Sequence, residues 1–253
     1  MSENFVIPPD KATGCLPRAS RVGEWCPKAS DRIDVIPESE VMERIEIQQE
    51  YKRNLRHQIA KIGGAYDQDG VGSCACESGV GALKLCRAAE GQPFEQFNPW
   101  ALYKRTGGRD NGRSIDSILR ALETEGAIPE ELWPRYDDRG DVIHKWTEAP
   151  PERLYDTDAP RYRIHEWWDV ETWEEVRTCL LMGKPVVFGH DNHAEAAFES
   201  LDEDNFAVLG SWGDYKGYPR PFEIAGCHIM HRRDIEWKFG AFCPASAYDA
   251  GGV

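Results

Sequence analysis

The chain has 253 residues and a formal net charge of −14, from 44 acidic and 30 basic residues. A hydrophobic content of 41% and nine Trp residues indicate a globular protein, with one large domain or two lobes, and exclude a disordered chain. The basic residues are scattered, which argues against a nucleic-acid partner, because phosphate binding needs a basic face.

The sequence shows neither a membrane span nor an export signal. No run approaches 18 consecutive apolar residues, and the start, Met-Ser-Glu-Asn-Phe, lacks the basic and apolar regions of a Sec-type signal. We therefore expect synthesis in the cytoplasm. The eight cysteines are irregularly spaced without Cys-x-x-Cys, so we expect most of them to be reduced and buried. A zinc site of Cys227, His228, His231 and Cys243 is a weak alternative, and we predict no metal and no cofactor.

An N-terminal extension is predicted over residues 1–62. Residues 1–37 are rich in Pro and small polar residues and are typical of an extended arm, whereas Glu38 to Ile62 has no Pro or Gly and predicts a helix. The arm could hold assembly partners, or the extension could fill a cleft as a propeptide does.

A helical lobe is predicted over about residues 63–135. The first helix begins near Cys74 and runs to about Glu90, before Gly91. Two more helices are predicted by Asn98 followed by Pro99, and by an apolar stripe that follows the capping residue Ser114.

A mostly β lobe is predicted over about residues 160–253. Strand patterns cover 161–168, 184–189, 193–200 and 205–209, and a helical pattern covers 171–182. Together the two lobes form one α+β domain over residues 63–253.

Gln68 and Cys74 are the most informative pair of residues. A Cys at a helix N-terminus has its thiolate stabilised by unpaired backbone N–H groups and by the helix dipole. A preceding Gln can donate to a developing oxyanion together with the backbone N–H of the Cys. The alternative is a small buried Cys that begins an ordinary helix, and only a partner histidine downstream decides between them.

Three short motifs together resemble the papain-like cysteine peptidase family. They are Gln68 with Gly72-Ser73-Cys74, His193-Ala194 before a strand, and Ser211-Trp212-Gly213 after the next strand. Residues 126–134 resemble a segment of bacterial and bacteriophage-encoded relatives, and the resemblance covers roughly residues 66–245. It implies a two-lobed α+β fold with the nucleophile on the central helix of the helical lobe.

The resemblance also implies roles for single residues. Cys74 would attack a peptide or isopeptide carbonyl, with His193 as general base and acid and Gln68 in the oxyanion hole. Trp212 would shield the histidine and would bind substrate together with Asn111, Gly112 and Arg113. The implied partner is a peptide or protein substrate.

The sequence departs from the family pattern at Gly210, where the family carries its orienting Asn, and at Glu195, where the family usually has an apolar strand residue. Glu195 lies two residues after His193, on the same face of the predicted strand, and could orient the imidazole or compete for the ring. Asn192 and Asn205 are other local candidates. His228 is an alternative base if the strand register is different. The alternative function is a catalytically impaired or inactive papain-like module with a structural or assembly role, for example in a phage virion.

Overall fold

The computed structural model describes residues 13–19, 22, 26–61, 64–109, 111–214 and 220–247. Its α-helices are α1 (Val41–Ile47), α2 (Gln49–Lys61), α3 (Cys74–Ala89), α4 (Pro99–Arg105), α5 (Ile115–Thr124) and α6 (Trp173–Leu181). Its strands are β1 (Cys15–Leu16), β2 (Arg113–Ser114), β3 (Ile164–Val170), β4 (Val186–His190), β5 (His193–Ser200), β6 (Asn205–Leu209), β7 (Cys227–His231) and β8 (Ala241–Ala247). Short 3-10 helices cover Ala29–Asp31, Glu38–Glu40, Ala159–Arg161 and Arg232–Asp234, and a π-helical turn covers Leu154–Asp158.

The β lobe is built on a sheet in which six of the described strands lie in the order β3-β8-β4-β5-β6-β7. All five neighbouring pairs are antiparallel. Alternate residues along β6 enter different cores: Ala207 packs with the helical lobe, whereas Phe206 and Val208 pack on the opposite face under α6. The sheet is therefore buried on both faces, and the predicted α+β fold is confirmed.

Helix α3 lies at the junction of the two lobes. It packs against β5 and β8 on one side and against α4 and α5 on the other. Small residues allow this close packing: a Cβ added at Gly79 would lie 2.7 Å from Ile118 Cγ2. Interior glycines cost a helix about 1 kcal/mol each, and here they let α5 approach.

The four predicted strands of the β lobe are present as β3, β4, β5 and β6, whereas β7 and β8 were not predicted. β7 and β8 follow no clear alternation of apolar and polar residues, and β8 contains Pro244, which is unusual inside a strand. Its sequence of small residues fits a strand between β3 and β4, where both faces are covered.

The predicted helix over residues 38–62 divides into a 3-10 turn, α1 and α2, with a break at Gln48; Ile62 lies outside the described residues. Helix α2 is fixed to the β lobe by Lys52, whose Nζ donates to Leu180 O at 3.1 Å and Phe198 O at 3.0 Å. Arg56 adds an ion pair with the buried Glu199. Among the described helices, none is long and apolar enough to cross a bilayer.

Candidate active site

Cys74 is the first residue of α3 and is completely buried. The backbone N–H groups of Ala194, Gly14 and Ala75 lie near its sulfur and favour the thiolate. Burial raises the pKa of the thiol to about 12, although these three donors act in the opposite direction. In this arrangement the group is a neutral thiol at pH 7.

His193 begins β5, directly before the Ala194 N–H that contacts the Cys74 sulfur. The indole of Trp212 stacks on its ring, with centroids 4.1 Å apart and an interplanar angle of 26°. Its Nδ1 has no hydrogen-bond partner among the described residues. Burial lowers the pKa of His193 to about 3, and the charge of Glu195 opposes that shift. The structure thus brings the predicted Cys74, His193 and Trp212 together at the interface of the lobes.

Gln68 lies in the loop before α3 and is tied to the motif that carries Trp212. Its backbone N–H donates to Ser211 O at 2.9 Å, and the Ser211 hydroxyl donates to Gln68 Oε1 at 2.5 Å. The Gln68 side-chain nitrogen donates to Val71 O at 2.6 Å. These bonds couple the loop of the helical lobe to the β lobe.

Buried charges support the same loop. Arg135 Nη1 donates to Asp67 O at 3.0 Å and its Nε pairs with Glu130 Oε1 at 3.2 Å. Glu77, in the first turn of α3, accepts from Ser73 Oγ at 3.1 Å. Burial raises the pKa of Glu77 to about 8, with Arg135 and the Ser73 hydrogen bond acting against it.

The cleft beside Cys74 is occupied by residues 13–16 of the same chain. The backbone N–H groups of Gly14 and Cys15 donate to Asn192 O at 3.0 and 2.8 Å, and Arg113 N donates to Gly14 O at 2.8 Å. β1 thereby pairs in parallel with β2, so that Cys15 faces Arg113. The predicted substrate-binding residue Arg113 contacts the chain's own N-terminal segment.

Glycines allow this close approach. A Cβ added at Gly14 would lie 2.2 Å from Gly72 O, and one added at Gly112 would lie 1.8 Å from Gly14 O. Gly112, another predicted substrate-binding residue, also has a positive φ of 80°. Asn111, the third, is exposed.

An ion pair fixes the segment further along. Arg18 donates to both carboxylate oxygens of Asp169, at 2.9 and 2.5 Å, and the Asp169 side chain is 1% exposed. Arg18 also lies over the Phe242 ring, 5.3 Å from its centroid. The segment is thus attached to the main body on both sides of the cleft.

Two groups lie near Nε2 of the His193 ring, and one of them, Glu195, has two histidine partners that the sequence did not predict. Ser211 Oγ lies 3.4 Å from His193 Nε2, and Glu195 Oε1 lies 3.8 Å from it. Glu195 Oε2 is contacted in turn by His190 Nε2 at 3.0 Å and His228 Nε2 at 3.2 Å. His228 was not predicted as a partner of Glu195 because β7 was not predicted as a strand, and His190 was not predicted because the strand pattern ended at residue 189, whereas β4 ends at His190. The strand alternation that places His193 and Glu195 on one face could be recognised in the sequence.

The eight cysteines are all buried free thiols. In the part of the chain that the structure describes, no group of three or more His, Cys, Asp or Glu side chains is arranged to hold a metal ion.

Comparison with solved structures identifies the fold. "Xylellain, a cysteine protease from Xylella fastidiosa" matches with a TM-score of 0.61 and 19% identity, over 94% of this chain and 98% of that chain. Procathepsin B S9 from Trypanosoma congolense matches with a TM-score of 0.57 and 14% identity, over 91% and 85% of the two chains. The Carica candamarcensis cysteine protease CMS1MS2 matches with a TM-score of 0.53 and 13% identity, over 73% and 92%.

The chain therefore has the papain-like cysteine protease fold. Neither a family sequence model nor a curated protein sequence matches it.

Proposed function

We propose that the chain is a papain-like cysteine peptidase that hydrolyses peptide or isopeptide bonds, with Cys74 as nucleophile. The observation that carries the proposal is the junction of α3 with β5. The sulfur of Cys74 meets the Ala194 N–H directly beside His193, whose Nδ1 has no hydrogen-bond partner in the described chain.

The chemistry follows from these positions. His193 takes the proton of the Cys74 thiol, and the sulfur adds to the substrate carbonyl carbon. The Cys74 backbone N–H and the Gln68 amide donate to the oxyanion, and His193 then protonates the leaving amine. Water attacks the resulting thioester, with His193 taking a proton from the water, and the acid product leaves Cys74 free.

We propose further that the N-terminal segment keeps this enzyme latent. The backbone of Gly14 is hydrogen-bonded to Asn192 and Arg113, and it lies so close to Gly72 that no side chain fits between them. Gly14 therefore lies where a substrate backbone must lie. Its presence also excludes water from Cys74, which keeps the thiol protonated. Displacing the segment restores access for both solvent and substrate.

A cut chain tests the proposal. Residues 33–37 have no helix or strand and are largely exposed, so a site for a specific protease can be inserted between Asp34 and Val35. After cutting and removal of the freed segment by chromatography, we expect hydrolysis of a mixed fluorogenic peptide library. The Cys74→Ser variant should lose this hydrolysis, whereas Cys76→Ser, which removes another buried thiol of the same helix, should keep it.

The second candidate is a papain-like module without activity that binds assembly partners through its N-terminal arm. It is favoured by Gly210, which has no side chain to orient His193, and by burial of the nucleophile. A cut chain that is folded, free of its segment and without Cys74-dependent hydrolysis would support this candidate and overturn the first.

A further inference from the structure

The position of the missing orienting side chain is filled from the neighbouring strand. β5 pairs with β6 so that Ala197 faces Val208 and Ala196 faces Leu209. Continuing this register places Gly210 opposite Glu195. A Cβ added at Gly210 would lie 3.1 Å from Glu195 Oε1, so a side chain at position 210 would press against the Glu195 carboxylate.

Glu195 is held in that space by two histidines from other strands. His190 at the end of β4 and His228 in β7 both donate from Nε2 to Oε2, at 3.0 and 3.2 Å. The Glu195 side chain is completely buried. Burial alone would raise the pKa of Glu195, but the two histidines hold it well below its ordinary value, so the carboxylate is charged.

The second oxygen faces the candidate catalytic histidine. Glu195 Oε1 has no hydrogen-bond partner among the described residues, and it lies 3.8 Å from His193 Nε2. Ser211 Oγ is closer, at 3.4 Å, but its proton goes to Gln68 Oε1 at 2.5 Å, and a hydroxyl carries no charge. The carboxylate is the group near this ring that stabilises an imidazolium.

We propose that Glu195, clamped by His190 and His228, is the positioning residue for His193 and replaces the side chain absent at Gly210. It favours the tautomer with the proton on Nε2, leaving Nδ1 to accept the proton of Cys74, and it stabilises the imidazolium that results. The inference rests on the proposed peptidase function.

A compensating pair of substitutions tests this role in the cut, active chain. Glu195→Gln keeps the size and the acceptor oxygen for the two histidines but removes the charge, so we expect kcat to fall about 100-fold or more with KM nearly unchanged. The alkaline limb of kcat/KM should move to lower pH, because the imidazolium loses its counter-ion. Glu148→Gln, at an exposed Glu-His pair, is the matched control and should change neither quantity.

Position 210 supplies the decisive comparison. Gly210→Asn alone should lower activity, because its side chain collides with Glu195, whereas Asn in a Glu195→Ala background should recover at least tenfold over Glu195→Ala alone. Gly210 is not in the left-handed region, so the backbone accepts Asn. A purely structural role for Glu195 predicts no such rescue.

Two results would overturn the inference: a Glu195→Gln enzyme with the parent kcat and pH profile, or a folded Glu195→Ala/Gly210→Asn enzyme no more active than Glu195→Ala. Failure of the proposed peptidase function would give a different result from either of these. In that case the cut parent chain itself shows no hydrolysis that depends on Cys74 and His193.

Discussion

Removing the ion pair between Arg18 and Asp169 should open the cleft without touching the site. Arg18→Ala alone would leave the buried Asp169 carboxylate unpaired, so the double variant Arg18→Ala/Asp169→Asn is the cleaner perturbation. The pair contributes two charge-assisted hydrogen bonds in a partly buried setting, and its loss should weaken the hold on the segment by about 1–3 kcal/mol.

The open population should rise accordingly. Each 1.4 kcal/mol is a factor of ten in an equilibrium, so the double variant should be open about 5–140 times more often. Because Cys74 is completely buried in the closed state, its alkylation by iodoacetamide, followed by peptide mass spectrometry, reports the open fraction. The rate should increase by the same factor.

A second ion pair of the N-terminal region supplies the control. Lys28 Nζ lies 2.8 Å from Glu171 Oε2, and both side chains are 45% exposed, so Lys28→Ala should change the rate less than threefold. An unchanged Cys74 rate in a folded double variant would refute the view that this pair holds the cleft closed.

Three further experiments test other parts of the structure. Gly14→Val should expel the segment by collision with backbone and raise Cys74 alkylation at least as much as the ion-pair variant; an unchanged rate would show that the segment does not cover the thiol. In urea unfolding, Gly79→Ala should destabilise the protein by about 1–2 kcal/mol through overpacking, whereas Gly81→Ala, whose Cβ meets its nearest neighbour at 3.9 Å, should stabilise it by about 0.5–1 kcal/mol; equal effects would contradict the close α3–α5 packing. Glu77→Gln should match the parent stability near pH 5 and exceed it by about 2–4 kcal/mol near pH 9, because a carboxyl with a folded pKa raised to about 8 costs stability as pH rises from its unfolded value; parallel stability curves would refute the raised pKa.

The sequence was sufficient to predict the elements with strong local patterns. Helix α3 begins at Cys74 as expected, and β5 and β6 have the predicted bounds, because alternation and turn residues define them locally. β8 was not predicted because small residues and Pro244 give no strand pattern, and its pairing with β3 and β4 stabilises it there.

The residues of the candidate site could be predicted from the sequence, but their burial and their contacts could not. Gln68, Cys74 and His193 follow a family spacing, but the segment that lies beside the buried Cys74 comes from Gly14, far away in the sequence. Contacts of that separation leave no local pattern. The clamp on Glu195 likewise needs the register of β5, β6 and β7, so His228 could not be recognised as its partner.

The most direct test of the central claim is the alkylation rate of Cys74 at pH 7 in the cut chain after its segment is removed. A thiolate–imidazolium site predicts that Cys74 reacts at least 100 times faster than any other of the eight thiols, and that His193→Ala abolishes this difference. A Cys74 that reacts no faster than the other cysteines, or equally fast without His193, would contradict it.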